Sequence, residues 1–230
     1  PGPGTGRLTL DDVIVKTGIC FVILVIGAVA GWNLMDRMPL IVWGAALVGF
    51  VLAMVNVFKK QVSPPLILLY ALVEGVFLGG ISNLYNDLAV SNNYPGIVQQ
   101  AVLGTLVAFG VMLALYKTRI IKVNGIFQKM MMVALVSYLV IGLASLVAAL
   151  FGVGQGWGFY GVGMIGIVLC VFGVGLAAFS LALDFESITQ AINHGAPERE
   201  SWRLAFGLLV TLIWLYLEIL RLLAILSNNR

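Results

Sequence analysis

Residues 130–183 contain no Asp, Glu, Lys or Arg across 54 consecutive positions. A soluble fold has no use for such a stretch, because its outward face must be polar. A run above about 18 apolar residues reads as a membrane-crossing helix, and this one is long enough for two. Further charge-free runs at 17–35, 38–58 and 88–116 extend the pattern through the chain. Only 10% of the 230 residues are charged, against about a quarter in an ordinary soluble domain. The sequence therefore predicts an all-α, polytopic membrane protein. It excludes soluble enzymes, disordered tails, disulfide scaffolds and nucleic-acid binders. Transmembrane β-barrels are excluded too, since their short strands alternate polar and apolar residues.

Seven spans are predicted, at 17–35, 39–58, 64–83, 97–116, 130–151, 159–184 and 203–226. Pro39, and Pro64-Pro65 after Ser63, mark helix starts, where a missing N–H costs little. Residues 83–96, rich in Asn and closing on Pro95-Gly96, are expected to form a loop. The glycine-rich stretch Gly152–Gly158 splits the 54-residue run. This gives an N-terminal segment 1–16, a single transmembrane domain 17–226 and a short tail 227–230.

Orientation follows from the basic residues. Arg7, Lys16, Lys59, Lys60, Lys117, Arg119, Lys122, Lys129, Arg199 and Arg203 fall on one side. Only Arg37 and Arg230 fall on the other, and Arg221 lies within helix seven. The positive-inside rule then places the N-terminus in the cytoplasm. Ala28-Val-Ala30 imitates a signal-peptidase site, but Asp11 and Asp12 spoil the basic leader it requires, so helix one is expected to be retained.

Charge inside a bilayer costs about 2.5–3.5 kcal/mol on insertion scales, so acids within spans are functional candidates. Glu74 lies ten residues into helix three, about 15 Å deep. Glu218 lies inside helix seven, and Asp184 closes helix six. Each also has a structural reading. Glu218 and Arg221, spaced i, i+3, could neutralise one another. Asp184 and Glu186 could be solvated acids at a helix end, and Glu74 could be protonated and hydrogen-bonded to a neighbouring helix.

Pooled, the three carboxylates offer hard oxygen ligands suited to calcium. Two of them close together would not both ionise freely and would titrate as a unit. Lys59 and Lys60, at the end of helix two, are either positive-inside anchors or one half of a latch onto Asp184. The pairs Gly27/Gly31 and Gly75/Gly79 have the GxxxG spacing that lets helix backbones approach.

Catalysis and resident cofactors are not expected. No phosphate or dinucleotide fingerprint occurs, and no lysine follows Lys129 to form a retinal Schiff base. Ser137 and Ser145 lack a base. His194 is the only histidine, and Cys20 and Cys170 both sit in apolar runs as small buried residues.

Three stretches carry a family resemblance: Tyr70-Ala-Leu-Val-Glu-Gly-Val-Phe-Leu-Gly-Gly-Ile-Ser82, Ala182-Leu-Asp-Phe-Glu186, and Leu215-Tyr-Leu-Glu-Ile-Leu-Arg-Leu-Leu223. With seven spans, the chain resembles the Bax-inhibitor family, and most closely its bacterial YccA-like branch. The resemblance implies six helices around a central seventh, a bacterial inner-membrane location and a calcium leak regulated by pH. It implies that Asp184 and Glu218 form the pH sensor, and that Lys59 or Lys60 latches the first acid. Calcium and protons would then be the partners, with the bilayer. It also implies a second class of role, a non-conducting modulator of a membrane protease or of stress survival. Two departures stand out. The second acid is Glu where the family has Asp, and Arg221 stands where a neutral polar residue is usual.

Overall fold

The computed structural model describes residues 6–156 and 158–228. The first five residues of the 1–16 segment, Trp157 in the glycine-rich stretch, and Asn229 and Arg230 of the tail lie outside the described residues. Among those described there are seven long helices and no strand. They are α1 (Leu10–Arg37), α2 (Pro39–Phe58), α3 (Pro64–Ser91), α4 (Ile97–Lys117), α5 (Gly125–Leu150), α6 (Gly163–Asn193) and α7 (Glu200–Asn228). All seven are long and apolar enough to cross a membrane. The shortest, α2, has 20 residues, or about 30 Å of rise, which matches a bilayer's hydrocarbon core. Large apolar side chains face outward along them, among them Leu40, Phe50, Val133, Leu143 and Leu146. Such a surface is stable in lipid and would aggregate in water.

Several helices run beyond their expected ends, each for a local reason. α1 starts at Leu10 rather than 17, because Thr9 and Asp12 form a reciprocal capping box. α5 starts at Gly125 rather than 130, where the Asn124 side chain accepts from the Phe127 amide at 2.8 Å. α3 continues through the expected 83–96 loop to Ser91. No Gly or Pro interrupts the sequence between Gly80 and Ser91, Ser82, Asn83 and Tyr85 are buried, and the helix stops just before Asn93, whose φ is +57°. α6 begins at Gly163, after a 3-10 turn, and passes Asp184 to end at Asn193. It has no Gly or Pro between 176 and 194, and terminates at Gly195, whose φ of +66° suits glycine in a helix stop.

The chain forms two compact units, Pro1–Asp87 with Glu186–Ile213 and Leu88–Phe185 with Trp214–Arg230. In the first, the two GxxxG pairs meet each other. A Cβ at Gly31 would run into the Val76 backbone, and one at Gly79 into that of Ala28, so α1 and α3 touch backbone to backbone. Asn83 fastens the far end of this seam, donating to the Trp32 carbonyl at 2.8 Å and to Asp36 at 3.2 Å. At the other end, the segment before α1 lies along the α6–α7 connection. The Leu8 amide donates to Ala196 O and the Glu198 amide to Gly6 O, both at 2.9 Å, while Lys16 reaches Glu198 at 3.0 Å. These contacts put the N-terminal segment and the α6–α7 connection on one side of the membrane, as the six spans between them require.

The second unit packs Tyr138 of α5, Leu176 of α6 and Trp214 of α7 around Met131. Between α5 and α6, two short 3-10 turns at Val153–Gly156 and Gly158–Gly161 fold back into the helix ends. A Cβ on Gly158 would collide with Ser145, and the Phe159 amide donates to Ser145 Oγ at 3.0 Å. Ser145 lies five residues inside the end of α5, so this glycine-rich stretch is a re-entrant plug.

Candidate functional site

Glu218 is 3% exposed, deep in α7, so its carboxylate needs partners from the protein itself. It has them. Trp214, one turn earlier on the same helix, donates from Nε1 to Oε1 at 3.2 Å. Tyr138 of α5 donates its hydroxyl to the same oxygen at 2.8 Å. Arg221, one turn later, approaches it at 3.6 Å. The other oxygen, Oε2, is buried with no hydrogen-bond partner among the described residues.

Gly173 of α6 makes the room. A Cβ there would come within 2.7 Å of Oε2 and strike the Tyr138 hydroxyl, so any larger residue would displace the group. Tyr160, on the re-entrant plug, donates to the Tyr138 hydroxyl at 2.9 Å. Its ring carries the Arg221 guanidinium at 4.4 Å, a cation–π distance. Burial raises the Tyr160 phenol above its usual pKa, so it stays a neutral hydroxyl able to pass on a hydrogen bond.

The sequence-predicted residues separate. Glu218 and Arg221 come together as an ion pair. Asp184 is partly buried in the same unit, within α6 rather than at its end. It lies eleven residues beyond Gly173, about 16 Å along the axis, so its carboxylate does not reach that of Glu218.

Glu74 belongs to the first unit, partly buried against α2, where a Cβ on Gly49 would strike its Oε2. It has no hydrogen bond or ion pair among the described residues. Lys59 and Lys60, in the same unit, are exposed, and their carbonyls accept from Arg203 at 3.2 and 2.9 Å. No group of three or more His, Cys, Asp or Glu with metal-holding geometry occurs among the described residues. Cys20 and Cys170 are buried and free, as expected, and His194 is exposed with Nδ1 2.7 Å from the Gln190 carbonyl.

Tyr138, Tyr160, Trp214 and Gly173 were not among the sequence candidates. For Trp214 the i, i+4 spacing to Glu218 was a signal. For Tyr138 it was a single tyrosine in the middle of the charge-free span 130–151.

Chemically, the arrangement is a single buried carboxylate with one saturated oxygen, one open oxygen and an adjacent internal cation. It suits exchange of a proton or attraction of a cation, and it presents no nucleophile–base pair. Among curated proteins no match to the chain is found. A family model described as Bax inhibitor 1 like matches residues 2–228. The chain belongs to the Bax inhibitor 1 like family and is a multi-pass membrane protein.

Proposed function

We propose that this protein is a pH-sensitive calcium leak channel of the bacterial inner membrane, from the YccA-like branch of its family. The observation that carries the reading is Glu218, a carboxylate buried in an apolar helix bundle with its Oε2 open. Calcium is the cargo, protons are the regulator, and the protein is neither an enzyme nor the holder of a resident cofactor.

In the ionised state Glu218 is held by Tyr138 and Trp214 and neutralised by Arg221, which stands where a passing cation would be drawn. Arg221 is thus a gating residue, because a calcium ion must compete with it for the carboxylate. Protonation of Glu218 removes the negative charge and with it the attraction for calcium, which favours the non-conducting form. Asp184, three turns along α6, is a second protonatable group acting separately rather than as a contacting pair. Glu74, with its carboxylate uncommitted, is a polar stopping point for the ion. Lys59 and Lys60 serve as cytoplasmic anchors.

The test is calcium entry into dye-loaded proteoliposomes containing only this protein, compared at roughly pH 6, 7 and 8. The leak is expected to grow with pH and to lose that dependence in Glu218→Gln and Asp184→Asn. The Glu218–Arg221 pair also supports a second reading, in which the acid only binds the bundle together and the protein modulates a membrane protease or stress survival without conducting. Absence of flux at every pH would select it.

A further inference from the structure

The hydroxyls above Glu218 form an ordered chain, with Tyr160 donating to Tyr138 at 2.9 Å and Tyr138 donating to Glu218 Oε1 at 2.8 Å. Both distances are those of good O–H···O bonds. We propose that Tyr160 and Tyr138 are a proton relay to Glu218, taking the proton from the side of the membrane on which α5 and α6 are joined. Each uptake is balanced: Tyr138 passes its hydroxyl proton to Oε1 and accepts one from Tyr160, and Tyr160 takes one from a hydronium ion of the acidified solution, which is left as water. Release reverses the order, and rotation of the two hydroxyls resets the chain.

Three observations support this beyond the distances. First, the relay begins on the re-entrant plug and not on a spanning helix. Gly158 packs closely on Ser145 and Gly161 on Gly154, with Tyr160 partly buried between the two glycines in sequence. Second, the alternatives are blocked on most sides. α6 presents Gly173 and the buried thiol of Cys170, α4 meets this part of α7 through Gly104 against Ile219, and α7 itself supplies Trp214 and Arg221. An indole N–H and a guanidinium are poor proton donors at neutral pH. Third, Arg221 sits over the Tyr160 ring and so fixes the first hydroxyl of the chain. Five spans separate the plug from the N-terminus, so the relay opens on the face opposite the N-terminal segment.

The inference rests on that part of the proposed function in which Glu218 exchanges a proton, and not on calcium moving. It is tested by time-resolved infrared spectroscopy of the full chain in lipid nanodiscs after a rapid drop in pH. The signal is the carboxylic acid band of Glu218, assigned by its loss in Glu218→Gln. Tyr160→Phe, which removes a hydroxyl that does not touch the carboxylate, is expected to slow the band's appearance by at least about tenfold while leaving its final amplitude unchanged. Tyr160→His, which keeps a proton-carrying ring, should recover most of the rate and covers the case in which the phenylalanine variant folds poorly. A wild-type rate in Tyr160→Phe overturns the relay, as does a Glu218 band that never appears on acidification. Calcium flux measured on the same protein separates the two ideas: intact relay kinetics with no flux sinks the leak and leaves the relay standing.

Discussion

Glu74 and Glu218 are the same residue type, each on a membrane-crossing helix and each facing a glycine on a neighbouring one, Gly49 and Gly173 respectively. Their surroundings differ completely. Glu218 has a phenol, an indole and a guanidinium, whereas Glu74 has no hydrogen bond or ion pair among the described residues. The units around them differ in the same sense. The first is joined along α1 and α3 by glycines, with backbone against backbone, and the polar contacts of Asn83 with Trp32 and Asp36 lie at the end of that seam. The second leaves room at one glycine and fills it with hydroxyls around a carboxylate. A glycine notch can therefore serve adhesion or charge, and the residue opposite it decides which.

The comparison is broken most severely at the seam. Gly79→Leu would drive a side chain into the Ala28 backbone, which cannot rotate away. The expected loss of stability is about 3 kcal/mol or more, the top of the usual overpacking range. Thermal unfolding followed by size-exclusion fluorescence would measure it, and wild-type stability would mean that the seam is not close-packed.

Next comes the ion pair. Arg221→Met leaves Glu218 buried beside an apolar chain and is expected to cost about 2–3 kcal/mol. That is below the 3–5 kcal/mol of a fully buried pair, because the Arg221 side chain is 30% exposed. Adding Glu218→Gln should restore most of the loss, and a purely additive double variant would show that the two charges do not interact.

Tyr138→Phe removes both the hydrogen bond to Glu218 and the one accepted from Tyr160; the bond to the charged acceptor is worth roughly 1.5–3 kcal/mol, and a total within that range is expected because Trp214 remains on the same oxygen. At Glu74 the corresponding outcome is the sharpest contrast: Glu74→Gln breaks no hydrogen bond or ion pair and is expected to leave the unfolding temperature near wild type. A large destabilisation there would mean that Glu74 has partners after all. Between these lies Lys16→Gln, which removes an ion pair to a Glu198 side chain that is 36% exposed and should cost at most about 1 kcal/mol in the same unfolding assay.

Much of the architecture was legible because lipid imposes it. A span must be apolar over about 20 residues and must satisfy its own backbone, so charge-free runs locate helices without any knowledge of packing. The ends were less legible. Hydropathy follows the bilayer, whereas α1, α3 and α6 continue past it on caps and unbroken helical sequence, as at Thr9–Asp12 and from Leu176 to His194. The glycine pairs were visible as motifs, but that they face each other is a tertiary fact. Glu218 and its i, i+3 partner Arg221 were readable from spacing on one helix. Tyr138 lies 80 positions from Glu218, and Tyr160 reaches the site only because the plug folds inward. The expected pairing of Asp184 with Glu218 failed to appear for the same reason: the level at which α6 and α7 meet is set by Gly173.

The contact of the N-terminal segment with the α6–α7 connection bears on how the chain is made. Lys16 and Glu198 are 182 positions apart in sequence. At about 5–20 residues per second, roughly 9 to 36 seconds of synthesis separate the two sides of that contact. The residues just before α1 must wait, unfastened, until six helices have been threaded into the bilayer. Only a chain that has placed all six with the right handing of sides can bring Leu8 to Ala196, so the fastening of this unit is a late event that reports completed insertion.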